Sequence, residues 1–308
     1  MRRATATLKM TAAPLMAAVI AGCGLGPGRG TSNASLTVSR DFGARQINNV
    51  TQRHVPGSET VMQMLERSFR VETRYGGGFV ESIAGLSGSS NRLDWFYYVN
   101  GIEAPVGAAQ TAVHKGDRIW WDLHDWSATD SIPAVVGSFP EPFVNGIGGR
   151  RLPTVLECAA DVNAACNRVS AALEAVGVPI ARQAPGTGSG TDSLAVLVGT
   201  WSDIKDSLAA DLIEHGPSTS GVYAKFAGSG TLELLDPHAR TVHTLGAGAG
   251  LIAATAEASA EPTWLITGTD TQGVSAAAAS LNASHLDDHF ALAVQGNLDL
   301  PLPQDGSS

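Results

Sequence analysis

The stretch WFYYVNGIEAPVGAAQ, residues 95–110, places a row of aromatic residues directly before an Asn-Gly pair. Aromatic and β-branched residues favour strands. Asn-Gly is a strong signal for a two-residue hairpin turn, because both positions of a type I′ turn need positive φ. The sequence therefore predicts a strand that ends at Val99 and a hairpin turn at Asn100-Gly101.

A strand with consecutive aromatic residues presents rings on both faces of its sheet, since neighbouring side chains point in opposite directions. The pair Trp120-Trp121 in RIWWDL raises the same question. One face can pack on a helix, and the other is exposed to solvent, covered by a second domain or used to bind a ligand. Packing is the favoured interpretation. The candidate ligand-binding rings are Trp95, Tyr97, Tyr98, Trp120 and Trp121.

The segments around this stretch predict one helix among several strands. ASLTVSRDFG alternates like a strand, and in PGSETVMQMLERSF the apolar residues from Val61 to Phe69 fall on one helical face. Ser58 is the expected N-cap of this helix. A strand, one helix and then several strands describe a small α+β domain.

The ordered motifs TVMQML, GGGFVESIAGL, WFYYVNG and VGAAQTAVHKGDRIWWDL resemble the transcobalamin-like C-terminal domain. The resemblance implies a β-grasp-like domain over residues 36–126, with Gly107 and Ala108 in a loop that approaches the ligand. In transcobalamin and intrinsic factor this module closes over a cobalamin held by a larger helical domain, which this sequence does not show. The resemblance thus implies a corrinoid as ligand, but corrinoid binding does not follow from this module alone.

The first residues, MRRATATLKMTAAPLMAAVIAGC, combine a basic start, a short apolar run and small residues before Cys23. This pattern is typical of an export signal, and Ile20-Ala21-Gly22-Cys23 resembles the lipobox of bacterial lipoproteins. The resemblance implies a signal peptide over residues 1–22, palmitate and other acyl chains on Cys23, and anchoring on the extracytoplasmic face of the cell membrane. An ordinary secretory signal is the alternative. Residues 23–35, rich in Gly and Ser, are expected to be a tether.

The second half of the chain predicts an α/β layered domain over residues 152–300, after a linker or long surface connection over 127–151 and before a tail over 301–308. Strand and helix patterns alternate, beginning with LPTVLEC and DVNAACNRVSAALEAVGV. Two units, LAVLVGTWSDIKDSLAA and TWLITGTDTQGVSAAAA, share a Gly-Thr step between strand and helix. Ligands of open α/β sheets bind beyond the carboxyl ends of strands. If the units are neighbours, a crevice would be lined by Thr200, Trp201, Thr269 and Asp270. Simple turn chemistry is the favoured alternative.

Cys158 and Cys166 form an even pair in a chain that is expected to be exported. On one continuous helix they would lie about 12 Å apart, which exceeds the reach of a disulfide. We therefore expect Cys158 to end a strand and Cys166 to lie in the following helix, joined by a disulfide. Two free thiols are the alternative.

The composition argues against some classes of partner and of catalytic site. The net charge of −9 disfavours nucleic acid and anionic lipid, which require clustered Lys and Arg. The sequence shows no nucleophile elbow and no P-loop. His285 and His289 have metal-compatible spacing but lack an evident third ligand, so a solvated helix end is favoured and no metal site is predicted. We expect a non-enzymatic lipoprotein that captures a small molecule for a transporter. The alternatives are a module that binds envelope proteins or wall polymer, and an extracytoplasmic hydrolase.

Overall fold

The computed structural model describes a β-rich, mixed α/β chain with several short helices. The described residues are 33–89, 91–186, 190–228, 230–257 and 260–305. The predicted signal peptide, Cys23 and most of the predicted tether lie outside them. Within the described ranges the strands form four sheets, and no helix is long and apolar enough to cross a bilayer. We call residues 34–126 the first region and residues 152–305 the second region.

The first region contains eight strands and one α-helix within its described residues. They are β1 (Ala34–Arg40), β2 (Arg45–Gln52), α1 (Val61–Ser68), β3 (Val71–Arg74), β4 (Phe79–Ile83), β5 (Leu86–Ser87), β6 (Leu93–Val99), β7 (Ile102–Glu103) and β8 (Arg118–Asp125). Five strands form one sheet in the order β2-β1-β8-β6-β7, in which β1 and β8 are parallel. β3, β4 and β5 form a small antiparallel sheet beside it. The β-grasp assignment of this region stays a prediction.

Helix α1 packs its apolar face on the five-stranded sheet, as the sequence predicts. Val61, Met64 and Leu65 are fully buried in one cluster with residues of β1 and β8. The predicted N-cap is wrong, because the helix begins after Thr60. Thr60 Oγ1 accepts the Gln63 N–H at 3.3 Å, and Gln63 Oε1 accepts the Thr60 N–H at 3.0 Å. This reciprocal capping box needs a Gln or Glu three residues after the N-cap. The residue three positions after Ser58 is Val61, which cannot accept a hydrogen bond through its side chain.

The predicted hairpin is confirmed. β6 and β7 pair as antiparallel strands on either side of Asn100-Gly101. The φ values of these two residues are 55° and 77°, as a type I′ turn requires.

The second region contains ten strands and six α-helices within its described residues. They are β9 (Thr154–Cys158), α2 (Asn163–Ala175), β10 (Ile180–Gln183), β11 (Leu194–Thr200), α3 (Trp201–Ile204), α4 (Leu208–Glu214), α5 (Pro217–Ser220), β12 (Ala224–Ala227), β13 (Thr231–Leu235), β14 (Thr241–Leu245), β15 (Ala249–Thr255), β16 (Thr263–Gly268), α6 (Thr271–Ala279), α7 (Ala283–Leu286), β17 (Ala291–Gln295) and β18 (Leu298–Leu302). Seven strands form a mixed sheet in the order β10-β9-β11-β16-β15-β17-β18. Helices α2 and α6 share a core with one of its faces. Helix α4, the sheet β12-β13-β14 and part of the first region share a core with the other face.

The sequence patterns do not predict four of the strands, β2, β10, β15 and β18. β15 begins inside the glycine-rich GAGAG segment. The helical pattern of SDIKDSLAADLIEHG predicts one continuous helix, and this prediction is wrong. The chain forms α3 and α4 instead, and Ser207 caps α4 by accepting the Ala210 N–H at 3.4 Å. A Ser side chain inside a helical pattern can bond a nearby backbone N–H group and so begin a new helix instead of continuing the first one.

The segment 127–151 connects the regions, but the expectation of a surface connection is wrong. Val135, Val136 and Phe143 are buried, and Phe143 packs edge to face on Trp264 of the second region. The Val136 N–H donates to the Phe290 carbonyl at 3.1 Å. The apolar residues of this Pro- and Gly-rich segment have no regular period, so their burial is not visible in the sequence pattern.

The disulfide between Cys158 and Cys166 is confirmed. Cys158 ends β9, Cys166 lies in the first turns of α2, and their Cα atoms are 6.0 Å apart. The bond ties β9, which lies between β10 and β11 in the seven-stranded sheet, to the helix that covers it.

Candidate functional site

The five-stranded sheet of the first region has two different faces. On the face toward α1, Trp95 and Trp121 belong to the local core with Tyr97 packed against it. On the opposite face, Tyr98 and Trp120 are buried in the core shared with the second region. Each aromatic neighbour pair is thus divided between two cores, so the favoured packing interpretation describes these rings.

Phe290 of the second region occupies the centre of the shared aromatic face and is 3% exposed. Its ring packs edge to face on Tyr98 at 5.4 Å and on Trp120 at 5.0 Å. It meets Phe42 and His124 in the same way, both at 5.4 Å. Such edge-to-face pairs place the positive ring edge on the negative face of the partner ring. Phe290 therefore links the two regions.

A buried polar network lies beneath these rings. The Asp122 carboxyl group accepts the Phe42 N–H at 3.0 Å, the Gly43 N–H at 2.9 Å and the Ser39 hydroxyl at 2.5 Å. His124 Nδ1 lies 2.9 Å from the same carboxyl group. In a catalytic triad the serine bonds the histidine, whereas here both bond the aspartate. This geometry fixes the β1–β2 turn against β8, and it does not pair a nucleophile with a base.

The other half of the same sheet face remains open and forms a polar cleft between the regions. Strands β1, β2 and β8 form one wall, and residues Gly137, Ser138, Asp287 and Asp288 form the other, around a volume of about 300 Å³. This volume is at the lower end of the range for ligand pockets. The side chains that offer hydrogen bonds to the cleft include Thr37, Gln46, Asn49, Thr51, Arg118, Asp287 and Asp288. Trp120 also lines the cleft, although it is 3% exposed.

The charged groups of the cleft come from both regions. Arg118 Nη1 of β8 lies 3.6 Å from the Asp287 carboxylate, and it donates to the Phe139 carbonyl at 2.9 Å. Burial raises the pKa of Asp287, while Arg118 and His289 oppose that shift. Burial, followed by the nearby charges of Asp287 and Asp122, also raises the pKa of Asp288. Carboxyl groups that have lost part of their hydration in a cleft are candidates for binding a polar ligand.

Two close backbone approaches hold the walls of the cleft together. A Cβ atom on Gly43, where φ is 83°, would lie 1.8 Å from the Asp288 carbonyl oxygen. A Cβ atom on Gly137 would lie 2.7 Å from the His289 backbone nitrogen. Only glycine permits these approaches. Asp288 itself has a φ of 63°, a left-handed conformation that Asp adopts more readily than most residues.

The structure places the other predicted site residues in local contacts. The Tyr97 hydroxyl donates to the Val106 carbonyl at 2.6 Å. Gly107 is exposed and Ala108 is buried. The Ala108 carbonyl accepts the Met62 N–H of α1 at 3.0 Å. The predicted ligand loop therefore supplies a partner for an N–H group of the first helical turn, which has none within the helix.

The two Gly-Thr units are neighbours, because β11 and β16 pair as parallel strands. Thr200 bonds Ser202 at 2.8 Å, and Trp201 stacks on Phe226 at 4.2 Å. Thr269 donates to the Gly246 carbonyl at 3.0 Å. Asp270 caps α6 by accepting the Gly273 N–H at 2.8 Å. These are the contacts of efficient strand-to-helix turns, the alternative that was favoured.

Sequence reasoning missed the polar cleft. Asp287 and Asp288 belong to HLDDH, where the spacing of His285 and His289 drew attention to a metal. In the structure His285 bonds Asp299 at 2.5 Å, and burial lowers the pKa of His289. No group of three or more metal-ligating side chains occurs among the described residues. The adjacent acidic pair was the available signal for the cleft.

A comparison with protein families finds one match, and it lies in the first region. Residues 58–125 match a family described as a domain of unknown function, DUF4430. Over 30% of its length the chain is similar to a proposed metal-binding protein from Ruminococcus gnavus, with 18% identity, a TM-score of 0.26 and 97% of that protein covered. It is also similar over 30% of its length to haptocorrin in complex with Cbi, with 22% identity and a TM-score of 0.24. The chain covers 26% of haptocorrin, and no curated protein matches it. The family match therefore extends from just before α1 to the end of β8.

Proposed function

We propose that this protein binds a polar small molecule, without catalysis, in the cleft between its two regions. The observation that carries the proposal is the convergence of Arg118 from the first region with Asp287 and Asp288 from the second on a cleft of about 300 Å³. Specific ligand sites combine a concave surface with a few convergent polar groups. A ligand held there would contact both regions, as in capture proteins that deliver a solute to an uptake system.

A corrinoid is the ligand that the transcobalamin resemblance implies. Its peripheral amide groups both donate and accept hydrogen bonds, which suits the Asn, Gln, Thr and Asp side chains of the cleft. A corrinoid is much larger than the cleft, so only an amide-bearing edge of the ring would enter it. The remainder would stay outside the protein.

Asp288→Asn is expected to weaken ligand binding about 10- to 100-fold, because a hydrogen bond to a charged group contributes about 1.5–3 kcal/mol. Asn keeps the shape of the side chain and tolerates the positive φ at this position. The measurement is tryptophan fluorescence titrated with cobalamin and with cobinamide, corrected for corrinoid absorbance with free tryptophan. Trp120 in the cleft is the reporter.

The matched control is Asp192→Asn, whose side chain is 83% exposed and lies outside the lining of the cleft. It should bind as the wild type does. A flat titration with both corrinoids would exclude this ligand class. Native mass spectrometry of the purified protein would then identify another bound solute. If Asp288→Asn retained that solute fully, the cleft would not be its site.

We also propose that the protein is held on the extracytoplasmic face of the membrane by acyl chains on Cys23. The support is the basic, apolar and small-residue order of residues 1–22. A single acyl chain gives only marginal membrane binding, whereas two or more give stable attachment. The anchor would keep the cleft close to a membrane transporter.

Cys23→Ala is expected to abolish incorporation of labelled palmitate in a bacterial host and to move the protein out of the membrane fraction. The control is Cys158→Ala/Cys166→Ala, which removes the two disulfide cysteines and leaves Cys23. It should keep the label. Equal labelling of the Cys23→Ala variant and the wild type would rule out this anchor.

A further inference from the structure

A second cavity lies wholly outside the polar cleft, in the first region. We call it the hairpin pocket. It lies between the β3–β4 hairpin, the residues that lead into β6, and Trp126, and it has a volume of about 560 Å³. The residues that the argument uses are Arg74, Tyr75, Phe79, Glu81, Arg92, Asp94 and Trp126, all of which line it. No residue of the second region is among the described lining residues.

The hairpin pocket presents aromatic rings to solvent. Tyr75 is 87% exposed and Phe79 is 39% exposed, and the Trp126 ring is partly exposed. Large rings are usually buried, so a group of exposed rings around a cavity marks an interaction site. This group is separate from the buried rings that join the two regions.

The backbone holds two of the lining residues in an unfavourable conformation. Tyr75 has a φ of 53° and Arg92 has a φ of 63°, in the left-handed region that bulky residues rarely adopt. Tyr75 is followed by Gly76 and Gly77, with φ values of 71° and 94°. Conformations of this kind carry an energetic cost and occur preferentially at binding sites. Here the residue in this conformation is an exposed tyrosine at the mouth of a cavity.

The charges of the hairpin pocket balance among the described residues that line it. Arg74 forms an ion pair with Glu81 and lowers the pKa of its carboxyl group. Asp94 accepts the Trp126 indole N–H at 2.8 Å. The Arg92 guanidinium lies 5.5 Å from the centre of the Trp126 ring. Two cationic and two anionic side chains therefore present both donors and acceptors with little net charge.

These features together select the chemistry of the ligand. Glu81 and Asp94 would repel an anion, and the two arginines would repel a cation. Neither kind of ion therefore gains a net electrostatic attraction. A purely apolar ligand would strip water from four charged groups without replacing their hydrogen bonds. A sugar ring satisfies both requirements. Its C–H face packs on the negative faces of aromatic rings, and its hydroxyl groups both donate and accept.

We propose that the hairpin pocket binds a neutral hexopyranose unit of a glycan. The volume has room for a disaccharide. Tyr75 and Trp126 supply the stacking surfaces, and the paired side chains around them supply the hydrogen bonds. This site is independent of the proposed ligand cleft.

The test is calorimetric titration of the full-length protein, in a non-glycosidic detergent, with cellobiose, maltose and the disaccharide of N-acetylglucosamine. At least one neutral disaccharide should bind saturably. The double variant Tyr75→Ala/Trp126→Ala should weaken that binding at least about fivefold, since it removes both aromatic stacking surfaces. Tyr75→Trp should retain binding, because it keeps a ring at the mouth.

The matched control is Leu298→Ala, another exposed apolar side chain, which is 65% exposed and is not among the described residues that line the hairpin pocket. It should bind the sugar as the wild type does, and circular dichroism should show every variant folded. Three outcomes would overturn the proposal. The first is that none of the three disaccharides binds saturably, and the second is that the folded double variant binds as tightly as the wild type. The third is that glucuronate or glucosamine binds as tightly as a neutral sugar.

Discussion

Asp122→Ala is expected to lower the free energy of unfolding by about 3–5 kcal/mol, because it removes the acceptor of a fully buried network. Asp122 is 0% exposed. Its carboxyl group accepts the N–H groups of Phe42 and Gly43 and the hydroxyl of Ser39. Each donor left without an acceptor costs about 1–3 kcal/mol, and the separate costs do not add fully. Water cannot replace the carboxyl group freely, since Phe290 and the rings around it cover this face.

The measurement is urea denaturation followed by circular dichroism, with Asp192→Ala as the control. Asp192 is 83% exposed, and its removal should change stability by less than about 0.5 kcal/mol. The Asp122→Ala protein should also show faster hydrogen exchange at Phe42 and Gly43. If Asp122→Ala cost no more than the control, the buried network would not hold the β1–β2 turn in place.

Phe290→Ala is expected to cost about 3–5 kcal/mol, the range for removing a buried phenylalanine ring from a packed core. The ring contacts Phe42, Tyr98, Trp120 and His124. All four lie in the first region, so the cavity would open at the contact between regions. We therefore expect a second effect, in which the two regions unfold in separate transitions rather than together.

The measurement is a denaturant titration with two probes, tryptophan fluorescence and far-ultraviolet circular dichroism. Most tryptophans lie in the first region, so fluorescence follows that region, and the two curves should separate in Phe290→Ala. The control is Phe79→Ala, which removes the same ring from a side chain that is 39% exposed and should cost less than about 1 kcal/mol. Coincident curves with a loss below about 1 kcal/mol would show that the regions are not coupled through Phe290.

Local features of the fold were predictable because neighbouring residues decide them. The apolar face of α1 follows from helical periodicity, and the hairpin at Asn100-Gly101 follows from the φ values that its turn requires. The disulfide follows from the distance along a helix and the reach of two sulfur atoms. Even here the observed N-cap is Thr60 and not the predicted Ser58, because the capping box depends on the residue three positions after the cap.

The candidate sites depend on contacts that are distant in sequence. Asp287 and Asp288 acquire their role only because the strands of the first region lie beside them, and Gly43 and Gly137 permit that approach. Strand β15 was missed because its residues are small and apolar without alternation, as expected for a strand buried on both faces. In the same way, the burial of residues 132–143 depends on a second region that no local pattern describes.

The sequence by itself determined that the rings of residues 95–98 must divide between two faces of a sheet, since strand side chains alternate. It could not determine what covers each face. The tertiary structure placed α1 on one face and Phe290 on the other, and it left the polar part of that second face open as a cleft. The physical reason is that alternation is a property of one strand, whereas burial is a property of the surfaces that meet.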